Sequence, residues 1–223
     1  QTCALPIYNY EFYKIYHALN LFFTVDLSAT YMDVLKDRLY TWEVDGVERR
    51  GSQTVLYYMA DFLIRMMAPI LSFLAEESYS YMKADKKAES VFLLDYPALP
   101  AEWTNADVTT RFEEYLKVRS DVQKVLEGLR ADKTIGASLE ARVTIHAEDK
   151  LFQSLSEYLG VHKYANLREF LIVSDVQLLK GAYKVEATKA PGEKCVRCWV
   201  YDEKISQDPK HPGICPKCVE ALT

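Results

Sequence analysis

The chain has 223 residues, 49% hydrophobic and 26% charged, which suits a globular protein of one large domain or two to three small ones. No run approaches the ~18 apolar residues that suggest a membrane span, and the N-terminus lacks the basic, apolar and small-residue order of a secretory signal, so the cytoplasm is the expected compartment, with no membrane partner. A net charge of −5 argues against a generic polyanion binder, but residues 180–223 carry 8 basic against 6 acidic side chains while residues 1–179 carry 19 against 26, which puts any nucleic-acid contact near the C-terminal end.

Gln1 to Ile7 fit no pattern that follows. Back-translated as CAG-ACG-TGT-GCT-CTT-CCG-ATC they read like the end of a common sequencing adapter, so residues 1–7 are expected to be an artificial start, and Cys3 and Pro6 receive no role. From Tyr8 the period is helical. Phe12, Ile15, Tyr16, Leu19, Phe22 and Phe23 recur at three- and four-residue spacing, and Leu27, Tyr31, Val34 and Leu35 continue the stripe. After the Asp45-Gly46 turn signal, Val55, Met59, Phe62, Leu63 and Met66 mark a further helix, which Pro69 must kink or end. Ile70, Phe73, Leu74 and Tyr81 give the next stripe, and the set reads as an antiparallel helical bundle.

Lys83 to Asp107 mixes charges and prolines without a period and reads as a long connection. Phe112, Tyr115, Val122, Val125, Leu126 and Leu129 then define a helix of about five turns. Past Gly136 the period becomes two: Val143 and Ile145 alternate with Arg142, Thr144 and His146, as in a half-buried strand. Leu151, Leu155, Tyr158 and Leu159 return to helical spacing, and 171–173 and 183–185 are expected as further strands. The expected fold class is mainly α: a helical bundle over 8–131, a small α+β unit over 139–187, and a cysteine-rich finger over 190–223.

Four of the five cysteines fall in the last 29 residues, as two Cys-x-x-Cys pairs, Cys195 with Cys198 and Cys215 with Cys218, separated by 16 residues. Each pair can wrap two sulfurs around one ion, and clustering of this kind in a chain without secretory features points to a metal rather than to disulfides. Zn²⁺ accepts four thiolates in a tetrahedron, and four protein ligands leave no open position, so one structural zinc is expected; iron in a Cys₄ cage is the alternative. The thiolates leave a formal excess of two negative charges, which Lys194, Arg197 and Lys217 can offset. His211 lies inside the loop, but the cysteines already saturate the ion. Trp199, next to the first pair, either covers the knuckle as a miniature core or stacks on an unpaired RNA base with Arg197 beside it.

The run Tyr8-Asn9-Tyr10-Glu11-Phe12, the segment Thr30-Tyr31-Met32-Asp33-Val34-Leu35-Lys36-Asp37-Arg38-Leu39-Tyr40-Thr41, and Met67-Ala68-Pro69-Ile70-Leu71-Ser72-Phe73 resemble the anticodon-binding helical domain of bacterial isoleucyl-tRNA synthetases, class Ia enzymes. Ala131-Asp132-Lys133 and Gly136-Ala137-Ser138-Leu139-Glu140-Ala141 resemble the junction beyond that bundle, and Gly192-Glu193-Lys194-Cys195-Val196-Arg197-Cys198-Trp199 with Cys215-Pro216-Lys217-Cys218 is similar to the family's C-terminal zinc element. The resemblance implies a monomeric ligase that attaches isoleucine to its tRNA with ATP, and a role for this part in holding the anticodon stem-loop for the enzyme's own catalytic domain. Neither a His-Ile-Gly-His nor a Lys-Met-Ser-Lys-Ser type motif occurs in these residues, so ATP and Mg²⁺ are expected only in the catalytic domain, and this chain alone is expected to be inactive; the domain that edits misactivated valine is likewise not expected here. The candidate RNA contacts are Trp199 and Arg197 at the finger and Lys36 and Arg38 on the bundle, for which a solvated helix end with local ion pairs is the competing reading. Two other functions stay open: the C-terminal part of a DNA-repair glycosylase, which also ends in a Cys₄ finger, and a zinc-ribbon module that binds protein.

Overall fold

The computed structural model describes residues 6, 8–83, 87–164 and 166–223. Apart from Pro6, the expected artificial start and Cys3 lie outside the described residues. Tertiary contacts divide the chain into two compact units, one running to Asp33 and again over Arg50–Thr104, the other comprising Val34–Arg49 and Asn105–Thr223.

The first unit is helical. Helix α1 spans Phe12–Leu21 and is followed by a π-helical stretch, Phe22–Met32, in which the Thr30 hydroxyl donates to the carbonyl of Val25, five residues back (3.0 Å). Helix α3 spans Val47–Met67 and α4 spans Ser72–Tyr81. Pro69 has no N–H to continue the ladder, and the chain turns there before Ser72 reopens the helix, its hydroxyl donating to the Ala68 carbonyl (3.1 Å). Ile64, Ala68, Ala75, Tyr79 and Val91 form the core. Glu76 ties the following turn to it by accepting from the Ser90 hydroxyl (2.9 Å) and the Val91 amide (3.0 Å). The buried face of α4 is that of Ala75 and Tyr79, whereas Phe73, in the expected stripe, is 94% exposed.

The second unit is built on a three-stranded sheet. Its helices are α2 (Asp33–Thr41), α5 (Ala106–Ala131), α6 (Asp149–Gly160) and α7 (Leu167–Leu171), and its strands are β1 (Ala141–Ala147), β2 (Asp175–Lys180) and β3 (Lys184–Lys189). The sheet order is β2-β1-β3, with β1 parallel to β2 and antiparallel to β3. The parallel pair is joined through α6 and α7, as a parallel connection requires. Along β1, Ala141, Val143, Ile145 and Ala147 point into the core while Arg142, Thr144 and His146 alternate outward. Arg142 pairs with Asp175, its neighbour in register on β2 (2.5 Å).

Helix α5 begins at Asn105, whose side chain accepts from the amides of Asp107 and Val108 (3.0 and 3.1 Å). Its stripe of Tyr115, Val118, Val122 and Leu126 forms one core with Val143, Ile145, Leu155, Leu167 and Val173. Full burial of such a side chain contributes about 1.5–3 kcal/mol, so α5 and the sheet stabilise each other. The strand expected at 171–173 is instead the end of α7. Asn166 caps this short helix by accepting from the Arg168 amide (2.9 Å), Ile172 leaves it in the left-handed conformation (φ 57°), and β2 begins only at Asp175.

The last segment pairs β4 (Glu193–Lys194) with β5 (Tyr201–Asp202) and ends in α8 (Pro216–Glu220). The order is that expected: a helical part, a small α+β unit and a terminal four-cysteine finger. Among the described residues no helix is long and apolar enough to cross a membrane.

Candidate metal centre

The two cysteine pairs sit on different scaffolds. The first lies in the turn between β4 and β5. There the Cys195 amide donates to the Val200 carbonyl and the Trp199 amide to the Cys195 carbonyl (both 2.9 Å), closing a knuckle around Cys195 and Cys198. Gly192 at its entrance has φ +86°, and a Cβ there would lie 2.4 Å from the Asp202 carbonyl carbon, so only glycine fits. The second pair flanks the first turn of α8, where Pro216 occupies an N-terminal position that needs no amide donor.

All four sulfurs are buried and lie within 4.8 Å of one another. Cys195 to Cys218 is 3.8 Å and Cys198 to Cys215 is 3.5 Å. A zinc ion bonded to four sulfurs at ~2.3 Å requires sulfur–sulfur edges of about 3.8 Å, so the donor set fits tetrahedral Zn²⁺ in both chemistry and spacing. The Cys215 amide donates to the Cys195 sulfur (3.3 Å). Hydrogen bonds from the Cys198 and Cys215 thiols, with a further one from Arg197, hold Cys218 down at about 4. Cys198 is pushed far up by its bonds to Cys215 and Cys218 and by burial.

Arg197 and Lys217, the cations expected to offset the thiolate charge, also reach across to α2. Arg197 donates to the Thr41 carbonyl at the C-terminal end of that helix, where a cation meets the negative end of the helix dipole. Lys217, only 7% exposed, donates to Asp37 Oδ1 (2.6 Å) and to the Thr41 hydroxyl (3.2 Å). Asp37 in turn accepts from the Thr41 hydroxyl (2.6 Å) and from Trp42 Nε1 (3.0 Å). Burial alone would push the Asp37 carboxyl up, but the Lys217 ammonium and these hydrogen bonds hold it below the usual carboxylate range. Asp37 and Lys217 are 180 residues apart, so no local pattern pairs them; the charged run Lys36-Asp37-Arg38 is the only trace of the contact in the sequence.

The four candidate RNA contacts divide into two groups. Trp199 is 62% exposed, with the Lys194 ammonium 5.5 Å from its ring centroid, and Lys36 lies exposed on α2. Arg197 is engaged with Thr41, and Arg38 forms a two-point pair with Glu169 (3.1 and 2.5 Å). Trp199 also has φ 66°, a left-handed conformation that a bulky residue seldom adopts.

Comparison with known proteins places these features together. A family profile described as the anticodon-binding domain of tRNA ligase matches residues 6–145, and one described as the zinc finger found in FPG and IleRS matches residues 192–221. The isoleucine–tRNA ligase of Geobacter sulfurreducens is 44% identical over 100% of this chain and 25% of its own length. That of Caldanaerobacter subterraneus subsp. tengcongensis is 38% identical over 96% of the chain and 24% of its own, and that of Carboxydothermus hydrogenoformans 40% over the same shares. The chain thus spans about a quarter of the length of the curated relatives it matches. A finger shared with FPG is what the glycosylase alternative would require, but that alternative leaves the match over 6–145 without an explanation.

Proposed function

Because this chain belongs to the family of tRNA-ligase anticodon-binding domains, we propose that it holds the anticodon arm of an isoleucine tRNA, as the C-terminal part of an isoleucine–tRNA ligase. The observation that carries this reading is the succession, in one chain, of the anticodon-binding match over 6–145 and the finger match over 192–221. ATP and Mg²⁺ belong, on this reading, to a catalytic domain elsewhere in the longer enzyme. The chain by itself therefore neither activates isoleucine nor charges tRNA. The functional segments are 8–131 for the helical part, 139–187 for the junction and 190–223 for the finger, in a monomeric cytoplasmic enzyme.

One Zn²⁺ held by Cys195, Cys198, Cys215 and Cys218 supplies rigidity rather than chemistry, since four thiolates leave no site for substrate. That rigidity bears on recognition. Sequence-specific RNA binding targets unpaired loop bases by stacking and edge contacts, and a side chain on a metal-fixed turn needs little further ordering before it stacks. Trp199 is the stacking group and Lys36 a phosphate contact, while Arg197 and Arg38 serve the same surface by fixing the finger and α2 and by adding positive charge.

Nuclease footprinting of isoleucine tRNA with the zinc-loaded chain tests this reading. Protection is expected over the anticodon stem-loop and not over the acceptor stem. Protection of the acceptor stem instead, or none at micromolar protein in low salt, overturns it.

A further inference from the structure

The cysteines and their hairpin account for the finger, but they do not explain Asp37. This carboxylate stands on α2 and accepts four hydrogen bonds from three donors: the Lys217 ammonium, which reaches both of its oxygens, the Thr41 hydroxyl and the Trp42 indole. Lys217 lies between the two cysteines of the second pair, as Arg197, which donates to the Thr41 carbonyl, lies between those of the first, so both turns are tied to the end of α2. Among the described residues the ammonium contacts Asp37 and Thr41.

We propose that Asp37 is a positioning residue of the metal centre: by anchoring Lys217 on α2 it holds the turn that carries Cys215 and Cys218 in place and so strengthens zinc binding by the four cysteines, and it makes order at the C-terminal end of α2 depend on the metal. The inference rests on reading the cysteines as a zinc centre. Its sign follows from burial. By charge alone, removing a carboxylate would favour an anionic metal centre. Yet an ammonium that is 7% exposed and keeps only neutral oxygens as partners turns outward to water, and the turn between Cys215 and Cys218 loses its anchor on α2. The second effect wins, because Asp37 is bonded directly to the residue between Cys215 and Cys218, while its own carboxylate makes no hydrogen bond to a sulfur. Linkage makes the coupling reciprocal: if Asp37 favours zinc, zinc favours the ordered end of α2 by the same factor.

The test is zinc affinity of the full chain by competition with a chromophoric chelator, together with amide hydrogen exchange in peptides covering residues 36–44. Asp37→Asn is expected to weaken zinc by about 10-fold, the low end of the loss for a group bonded to a ligand, because Asp37 acts through Lys217 and not on a sulfur itself. Lys217→Met should lose a similar factor, and the double variant no more than Lys217→Met alone, whereas two independent structural defects would multiply. In the wild type, metal removal should abolish protection over 36–44 while peptides of α5 and β1 stay protected. In Asp37→Asn that protection should be low even with zinc bound. Protected α5 and β1 peptides also certify that each variant is folded. Zinc affinity of Asp37→Asn within twofold of the wild type, or protection over 36–44 indifferent to metal, overturns the inference while leaving the zinc centre intact. A wild-type chain that takes up no zinc removes the centre itself.

Discussion

Trp199→Gly should separate the two roles that a tryptophan beside a metal knuckle can have. At φ 66° the residue sits in left-handed backbone space, where an ordinary L-residue costs roughly 1–2 kcal/mol and glycine almost nothing. Against that relief, glycine orders a freer unfolded chain, at a cost of about 0.5–1 kcal/mol. The indole is 62% exposed, so little burial is lost, and the Lys194 ammonium 5.5 Å from its ring centroid is worth about 0.5–1 kcal/mol at an exposed site. These terms nearly cancel, so the finger's stability should change by no more than about 1 kcal/mol, equivalent to about fivefold in zinc affinity, in either direction. The amide of residue 199 still donates to the Cys195 carbonyl, so the knuckle survives. Affinity for a labelled isoleucine anticodon stem-loop should fall by the value of one stacked base, about 1–3 kcal/mol, or roughly 5- to 150-fold. Chelator competition measures the first quantity and fluorescence anisotropy the second. A finger that loses well over 1 kcal/mol of stability while RNA affinity falls only in step with it would make Trp199 a packing residue and refute the reasoning.

Leu126→Ala removes a side chain that is 1% exposed at the junction of α5 and the sheet, and should cost about 2–5 kcal/mol in urea unfolding followed by circular dichroism. Arg38→Ala strands the Glu169 carboxylate, whose side chain is 6% exposed, and should cost about 3–5 kcal/mol, with Arg38→Ala/Glu169→Gln markedly milder because no charge is left unpaired. Arg197→Ala in the zinc-loaded protein should lower the salt dependence of tRNA binding by about 0.7 of a slope unit if the guanidinium neutralises one phosphate of a single-stranded loop, and by nothing if its only work is at Thr41. Gly192→Ala should prevent closure of the β4–β5 hairpin and reduce zinc stoichiometry, as measured by atomic emission.

Features that depend on near neighbours were legible in the sequence. The paired cysteines, the alternation of Val143 and Ile145, the stop at Pro69 and the stripe of α5 each follow from a few adjacent side chains, and all appear in the fold. Contacts distant in sequence were not legible. The period of α5 says that Val122 and Leu126 are covered but not by what, and their cover proves to be the sheet. The apolar run at Leu171-Ile172-Val173 fits a strand or a helix end equally well, and the Asn166 cap decided for the helix. At Phe73 the stripe pointed the wrong way: small Ala75 allows close approach in its own unit, and the larger ring stays outside. At the candidate metal centre the clustering of the four cysteines was readable, whereas the pairing of Asp37 depended on a partner 180 residues away.

The central claim, that this chain reads the anticodon arm, is tested most directly by exchanging loops between tRNAs. Affinity of the zinc-loaded chain is compared for isoleucine tRNA, for a tRNA of another specificity, and for the two hybrids in which only the anticodon loops are swapped, all at one salt concentration. Affinity should follow the loop, with the isoleucine loop conferring tight binding on the foreign tRNA and the foreign loop weakening the isoleucine tRNA by at least about tenfold, as loss of one or two stacked or edge-bonded bases requires. Affinity that follows the rest of the tRNA and ignores the loop would contradict the account.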